Sequence, residues 1–140
     1  MSATAARGDA MHPVHAFLVA ATVPPFLGAV LSDCAYTSTY HVQWSNFSSW
    51  LIVGGLVFAG VALVCSLVDL RRADRRRGRF AVSLLLLVAI FVLGVMNALV
   101  HARDAWATMP SGLVLSVIVA VLACAATVVG FSTVRRRVAS

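Results

Sequence analysis

The chain contains neither lysine nor glutamate, and only 11% of its 140 residues are charged. Soluble globular domains carry about 25% charged residues, which cover their water-facing surface. Hydrophobic residues make up 61% of this sequence, against about 45–50% in a soluble domain. The scarcity of charge excludes an ordinary soluble domain, and the surplus of apolar residues indicates that the exterior meets the hydrocarbon of a lipid bilayer.

The lack of glutamate also narrows the possible chemistry. Five aspartates are the only acidic side chains, and no paired carboxylates, Ser/His/Asp arrangement or Gly-rich phosphate loop can be identified. The three cysteines, Cys34, Cys65 and Cys124, are assigned to different membrane depths, which disfavours a disulfide and indicates packing roles. We therefore predict that the protein is not an enzyme.

Four apolar stretches are long enough to cross a bilayer as helices, which takes about 20 residues each. They cover about residues 13–34, 49–70, 80–101 and 110–134. Their apolar runs are continuous instead of alternating and are too long for spanning strands, so helices are predicted. The sequence predicts an all-α integral membrane four-helix bundle that forms a single multipass domain over residues 1–140.

The arginines predict the orientation of this bundle in the membrane. All eleven basic residues are arginine, and only Arg103 falls on the side that carries Trp44, Trp50 and Trp106. The other ten lie on the opposite side: Arg7, Arg71, Arg72, Arg75, Arg76, Arg77, Arg79, Arg135, Arg136 and Arg137. We therefore predict a protein of the inner (plasma) membrane. The positive-inside rule places both of its termini in the cytoplasm. We interpret the arginine runs as contacts with anionic lipid, and not with nucleic acid.

The first span contains two local signals. Pro24 and Pro25 remove backbone donors near its middle and predict a kink. Leu31-Ser32-Asp33-Cys34 is similar to a lipoprotein cleavage box, but Asp33 stands where that signal requires a small neutral residue. We expect the first span to remain uncleaved and without a lipid anchor.

Two histidines lie at the arginine-bearing end of the first span. His12 and His15 are three residues apart and share a helix face, so they are candidates to bind a metal or one side of a haem. The same ends of the other spans contain no histidine to supply a second axial ligand. We interpret both residues as interfacial side chains at a helix start.

The opposite end holds more groups suited to binding. Asp33, Cys34, His41, His101 and Asp104 fall within or beside the two connections on that side. His41, His101 and Asp104 suit zinc or copper, and His41 with His101 suits the edge of a haem b. Their spacing matches no metal-binding signature, so the simpler interpretation is that these residues are solvated loop side chains.

Asn97 lies one turn before His101 on the same face of the third span. A polar side chain at this depth usually forms a hydrogen bond across the bundle, and less often lines a path for a solute. No ionisable residue is predicted at the midplane, which disfavours a proton relay or an ion-coupled transporter.

The order of several short motifs resembles bacterial membrane proteins grouped as domain of unknown function 2231. The motifs span about residues 12–134 and are His12-Pro13, the mid-span prolines, Asp33, Trp50, Gly54-Gly55, Asp69, Asn97 and Pro110-Ser111-Gly112-Leu113-Val114-Leu115-Ser116. The resemblance implies a small four-helix inner-membrane protein without an established activity. It also implies a haem or redox role where a member carries a second histidine near the start of its third helix. This chain reads Arg79-Phe80-Ala81-Val82-Ser83 there, and the usual Gly-rich end of the fourth helix reads Val128-Val129-Gly130-Phe131-Ser132.

The favoured hypothesis is a multipass protein in contact with the lipid bilayer that acts by helix–helix interaction with itself or with a membrane partner. One alternative is an electron-transfer subunit that binds haem or a metal through His41, His101 and Asp104. Another is a small-solute transporter with a polar cavity around Asn97.

Overall fold

The computed structural model describes residues 13–72, 78–103 and 105–138. Its helices are α1 (Pro13–Ala20), α2 (Val23–Thr39), α3 (Val42–Arg72), α4 (Gly78–His101), α5 (Ala105–Thr108) and α6 (Ser111–Val138). Four candidate spans are long and apolar enough to cross a membrane: Pro13–Thr39, Val42–Leu70, Phe80–His101 and Ser111–Ser132. The prediction of an all-α, four-helix membrane bundle is confirmed, and no strand is present in the described ranges.

The first span is interrupted between α1 and α2. Pro24 and Pro25 occupy the first turn of α2, where proline is tolerated, but their missing N–H groups leave carbonyls at the end of α1 without helical donors. Thr22 lies in the interruption, and its hydroxyl donates a hydrogen bond of 2.6 Å to the carbonyl of Val19. The first span is therefore broken at Ala21 and Thr22, beside the prolines that predict a kink.

The helices next to the first connection are longer than the sequence predicted. α2 continues to Thr39 instead of ending near Cys34, and α3 begins at Val42 instead of near Ser49. Tyr40 ends α2 in a left-handed conformation, with its N–H bonded to the carbonyl of Tyr36. Hydropathy does not detect this extension because polar residues interrupt the added turns. In α2 the hydroxyl groups of Thr37, Ser38 and Thr39 are satisfied by bonds to carbonyls of their own helix.

The four spans pack in a closed ring. α1 and α2 contact α3, α3 contacts α4, α4 contacts α6, and α6 contacts α1 and α2. The first span and α4 are therefore diagonal to each other, and so are α3 and α6. Side chains of two diagonal helices can contact each other only across the axis of the bundle.

Buried residues follow a seven-residue repeat in every span, with alternating spacings of four and three. The positions are 15, 19, 22, 26, 29, 33 and 36 in α1 and α2, 45, 48, 52, 55, 59, 62 and 66 in α3, 83, 87, 90, 94, 97 and 101 in α4, and 112, 116, 119, 123, 126 and 130 in α6. Ala16, Ser32 and Ala120 are buried beside this series. A period of 3.5 residues is typical of left-handed helix bundles.

Contacts between neighbouring helices fix which buried positions share a level. His15 is bonded to Ser66, a Cβ on Gly55 would touch the ring of Phe26, and Asn97 is bonded to Ser116. Continuing these registers gives successive layers of four residues. We name two of them by the nearer end of the bundle. The tryptophan-end layer contains Asp33, Ser48, His101 and Gly112, and the arginine-end layer contains His15, Ser66, Ser83 and Gly130.

An apolar core separates the two polar layers. It includes Val19, Phe26, Leu87, Ile90 and Val119, all fully or almost fully buried. Along α3, the distance from Ser48 to Ser66 is about 27 Å at the helical rise of about 1.5 Å per residue. The two polar layers are therefore separated by nearly the thickness of a bilayer's hydrocarbon core, about 30 Å.

Candidate functional site

Asp33 and His101 meet inside the tryptophan-end layer. Asp33 follows Phe26 by seven residues and Ala29 by four, so it shares their buried face of α2. Nε2 of His101 lies 2.9 Å from Oδ1 of Asp33, and neither side chain has any exposed surface. An ionisable pair in the apolar part of a membrane protein is a candidate functional site by its rarity alone.

Both ring nitrogens of His101 face hydrogen-bond acceptors. Nδ1 lies 3.0 Å from the carbonyl oxygen of Asn97, one turn earlier on α4. Nε2 faces Asp33 and also lies 3.3 Å from Oγ of Ser48, while the Ser48 hydroxyl donates to the carbonyl of Ala29 at 3.3 Å. A carbonyl oxygen accepts only, so Nδ1 must carry a proton. A second proton then lies in the contact between Nε2 of His101 and Oδ1 of Asp33, bound to one of these two atoms.

The second carboxyl oxygen of Asp33 connects to α6. The Ser116 hydroxyl donates to Oδ2 of Asp33 at 2.6 Å, and the side-chain amide of Asn97 donates to Oγ of Ser116 at 2.9 Å. The predicted cross-bundle bond of Asn97 is therefore confirmed. Its Oδ1 is buried and has no hydrogen-bond partner in the described part of the chain. We call Asp33, Ser48, Asn97, His101 and Ser116 the polar cluster.

The polar cluster joins all four spans but does not assemble a nucleophile. In a catalytic triad, one imidazole nitrogen faces a serine and the other faces the carboxylate. Here Nε2 faces the carboxylate, Nδ1 faces a backbone carbonyl, and Ser116 donates directly to Asp33. The arrangement can bind a proton and can hold the helices in register.

The prediction that Asp33 and His101 are solvated loop residues is wrong. Both residues are buried, because α2 continues past Asp33 and turns its side chain towards the core. His41 is exposed in the turn between α2 and α3, where its backbone N–H lies 3.4 Å from Oγ1 of Thr39. Asp104 lies outside the described residues.

Of the predicted metal or haem ligands, the structure describes His41, which is exposed, and His101, which is buried. The described ranges contain no group of three or more histidine, cysteine or acidic side chains placed to bind a metal ion. Both nitrogens of His101 already face acceptors within the polar cluster. Binding at this site therefore stays a prediction, and it would require His101 to leave Asp33 or Asn97.

The other predicted pair lies at the arginine end. His12 is outside the described residues, and His15 is buried with 5% exposure, so the interpretation of His15 as an interfacial side chain is wrong. Nε2 of His15 lies 2.6 Å from Oγ of Ser66 and 3.2 Å from the carbonyl of Ala62. The break before α2 leaves α1 packed against both α3 and α6, which covers this histidine.

Sequence reasoning missed four serines. Ser48 and Ser116 bond to the residues of the polar cluster, and Ser66 and Ser83 belong to the arginine-end layer. Their hydroxyl groups are too common in helices to be noticed one at a time. The signal that identifies them is the seven-residue repeat, in which each one occupies a buried position.

A sequence profile of the family described as predicted membrane protein (DUF2231) matches residues 11–139. The matched range includes the polar cluster and both polar layers. Comparisons with curated proteins and with solved structures gave no match.

Proposed function

The chain belongs to the DUF2231 family of membrane proteins, and on that premise we propose that it acts by helix–helix contact, with a second copy or another membrane protein, and not as an enzyme. The observation that carries this proposal is the direction of its side chains. The polar cluster is directed inward and bonded to itself. The outward faces of the spans are aliphatic, as at Val57, Val121 and Val128, each about 60% exposed or more.

A polar cluster that joins all four spans favours a preformed bundle. Buried polar groups that bond to one another across helices resist separation in hydrocarbon, where no water replaces the lost bonds. Such a bundle presents the same lipid-facing surface at all times. Recognition by another helix then depends on the shape of that surface and costs little rearrangement of the protein.

We further propose that the protein lies in the inner membrane with both termini in the cytoplasm. The support is the ten-to-one distribution of arginine between the two membrane sides of the predicted topology, together with the positive-inside rule. The exposed Trp44 and Trp50 near the start of α3 suit the opposite interface, where indole rings lie at the level of the headgroups.

Two other functions have weaker support. Binding of haem or a transition metal through His41, His101 and Asp104 would break bonds that the polar cluster already makes. Small-solute transport needs a polar cavity at Asn97, whereas the groove between α2 and α6 is lined by apolar residues such as Leu27, Val30 and Val117. Haem or metal binding can be tested by an absorbance spectrum and a metal analysis of protein expressed with haem and metals supplied. These measurements separate this function from helix–helix contact.

The test of the proposed function is the assembly state in lipid. The full-length protein, labelled once and reconstituted at low density in vesicles, is counted by single-molecule photobleaching, and its complexes from native membranes are examined in mild detergent. We expect two or more copies per particle or a membrane protein in fixed stoichiometry. Tryptophan is substituted at Val57, Val121 and Val128 in turn. Only the substitutions on the helix face that forms the contact should weaken the assembly. A monomer in vesicles without such a partner in membranes would contradict the proposal.

A further inference from the structure

The arginine-end layer repeats the plan of the tryptophan-end layer. In each layer α3 contributes a serine and α6 contributes a glycine, which face each other on one diagonal of the bundle. The other diagonal carries a histidine in both layers. At the tryptophan end His101 on α4 is bonded to Asp33 on α2, and at the arginine end the helix register places His15 on α1 and Ser83 on α4 in one layer.

The two histidine diagonals differ in whether their side chains meet. Asp33 and His101 are bonded at 2.9 Å. Nδ1 of His15 and Oγ of Ser83 are buried, and neither has a hydrogen-bond partner among the residues that the structure describes. The oxygen of serine is one bond closer to the backbone than the carboxyl oxygens of aspartate, so a serine reaches less far towards a histidine across the bundle.

The Ser83 hydroxyl also differs from the other hydroxyl groups on these helices. Ser32, Ser49 and Thr127 each donate to a carbonyl of their own helix one turn earlier, which is the usual arrangement for serine and threonine in a helix. Ser83 is only 3% exposed and forms no such bond. Native proteins rarely leave buried polar atoms unpaired, and the usual partner where side chains do not reach is an ordered water.

The chemistry of the two atoms specifies the ligand. Nε2 of His15 lies 2.6 Å from Oγ of Ser66 and 3.2 Å from the Ala62 carbonyl, which accepts only. A proton on Nε2 suits both contacts, since the Ser66 hydroxyl can also accept, and this tautomer leaves Nδ1 as an acceptor. The ligand must donate to Nδ1 and must exchange a hydrogen bond with the Ser83 hydroxyl. The adjacent layer contains Val19, Ala62 and Leu87, all fully buried, and such surroundings exclude a large or charged molecule.

We propose that one water molecule binds in the arginine-end layer, where it donates to Nδ1 of His15 and bridges to Oγ of Ser83. This water performs the role that the Asp33 carboxyl group has at the other end of the bundle. The arginine-end layer is then bridged by water, whereas in the tryptophan-end layer the Asp33 carboxyl group contacts His101 directly. The proposal is independent of the helix–helix contacts suggested above.

The experiment is water-edited solid-state NMR on the full-length chain in lipid vesicles, with ¹⁵N-labelled histidine and a His12→Gln background to simplify the spectrum. Three histidines then remain. We expect rapid polarisation transfer from water to His15 and to the exposed His41, and little transfer to His101. The Nδ1 resonance of His15 should be that of an unprotonated, hydrogen-bonded nitrogen. Transfer to His15 as slow as that to His101 would overturn the proposal, as would a metal-bound Nδ1 resonance.

Two variants separate the bridging water from general packing. Ser83→Ala removes the hydroxyl and should shift the Nδ1 resonance of His15 and reduce its water transfer severalfold. Ser83→Thr retains the hydroxyl and should preserve both signals. Ser132→Ala, at an exposed hydroxyl that bonds its own helix, is the matched control and should change neither. If Ser83→Ala leaves the His15 signals as they are in the parent protein, no bridging water is present.

Discussion

Asp33 and His101 bond across the diagonal of the bundle, from α2 to α4, although these two helices pack mainly against α3 and α6. The bond therefore crosses the axis of the bundle and connects two diagonal helices. Because His101 also donates to the carbonyl of Asn97, the pair holds one proton between Nε2 and Oδ1 and is neutral as a unit. Neutrality is what allows an acid and a base to remain in a low-dielectric interior.

Asp33 and His101 should tolerate joint replacement better than single replacement. Asp33→Leu or His101→Leu leaves the other ionisable group buried without its partner, and each should lower the free energy of unfolding by about 3–5 kcal/mol. The double Leu variant removes both groups and should be less destabilised than the sum of the two. Unfolding by SDS titration in mixed micelles measures this cycle, with the exposed His41→Gln as control. Additive losses would show that the two residues act separately.

Ser116 should contribute to stability through its bond to Asp33. Ser116→Ala removes a hydrogen bond of 2.6 Å to a carboxyl oxygen and leaves the amide of Asn97 without an acceptor, so we expect a loss of about 1–2 kcal/mol. Ser132→Ala on the same helix should change stability by less than about 0.5 kcal/mol, since that serine is exposed. The same SDS titration compares them, and equal effects would remove Ser116 from the polar cluster.

The two adjacent glycines of α3 should respond oppositely to alanine. A Cβ on Gly55 would lie 2.7 Å from the ring of Phe26, whereas a Cβ on Gly54 would meet nothing within 4 Å. Gly54→Ala should be neutral or stabilising by up to about 1 kcal/mol, because alanine favours the helix. Gly55→Ala adds a clash with a buried ring and should cost about 1–3 kcal/mol.

The size of Phe26 provides the control for this comparison. Phe26→Leu removes the ring edge that Gly55 accommodates, so Gly55→Ala should cost less in that background than in the parent chain. A cost for Gly55→Ala that is independent of residue 26 would place the cause elsewhere. Denaturation of all four proteins in the same micelles completes the cycle.

The orientation of the bundle can be tested with two single cysteines in a chain whose native cysteines are replaced by serine. Gln43 is exposed at the start of α3, and Gly78 begins α4 with nothing within 4 Å of an added Cβ. A membrane-impermeant maleimide applied to intact cells should label Gln43→Cys and should reach Gly78→Cys only after permeabilisation. The reverse pattern would place the termini outside the cytoplasm.

Hydropathy and length were sufficient to predict the number of spans and their approximate positions. The cost of an unpaired backbone in hydrocarbon leaves helices as the solution for such stretches, so this part of the fold follows from composition. The proline pair likewise predicted the break in the first span. The end of α2 did not follow, because a polar turn that satisfies its own hydroxyl groups extends a helix without any apolar signal. The start of α3 did not follow either, because its added turns mix polar and apolar residues.

The site was only partly predictable for a related reason. The sequence predicts that Asn97 and His101 share one helix face. It does not predict that Asp33 joins them, because polar residues near the end of a span are expected to be solvated. The spacing of Asp33 from Phe26 and Ala29 carries the missing information, since it places the carboxyl group on the buried face of α2. The pairing of Asp33 with His101 depends on the diagonal arrangement of helices, which no local spacing specifies.

The seven-residue repeat has a consequence for how precisely the helices must be aligned. Most of the buried polar side chains lie near the two ends of the repeat, and mainly apolar ones fill its middle. Sliding the first span or α4 lengthwise by one repeat would move a histidine, an aspartate or an asparagine among apolar side chains and leave its former partner unpaired. The buried positions therefore specify a single lengthwise register of the helices, whereas a bundle of the same length with only aliphatic buried residues would accept several.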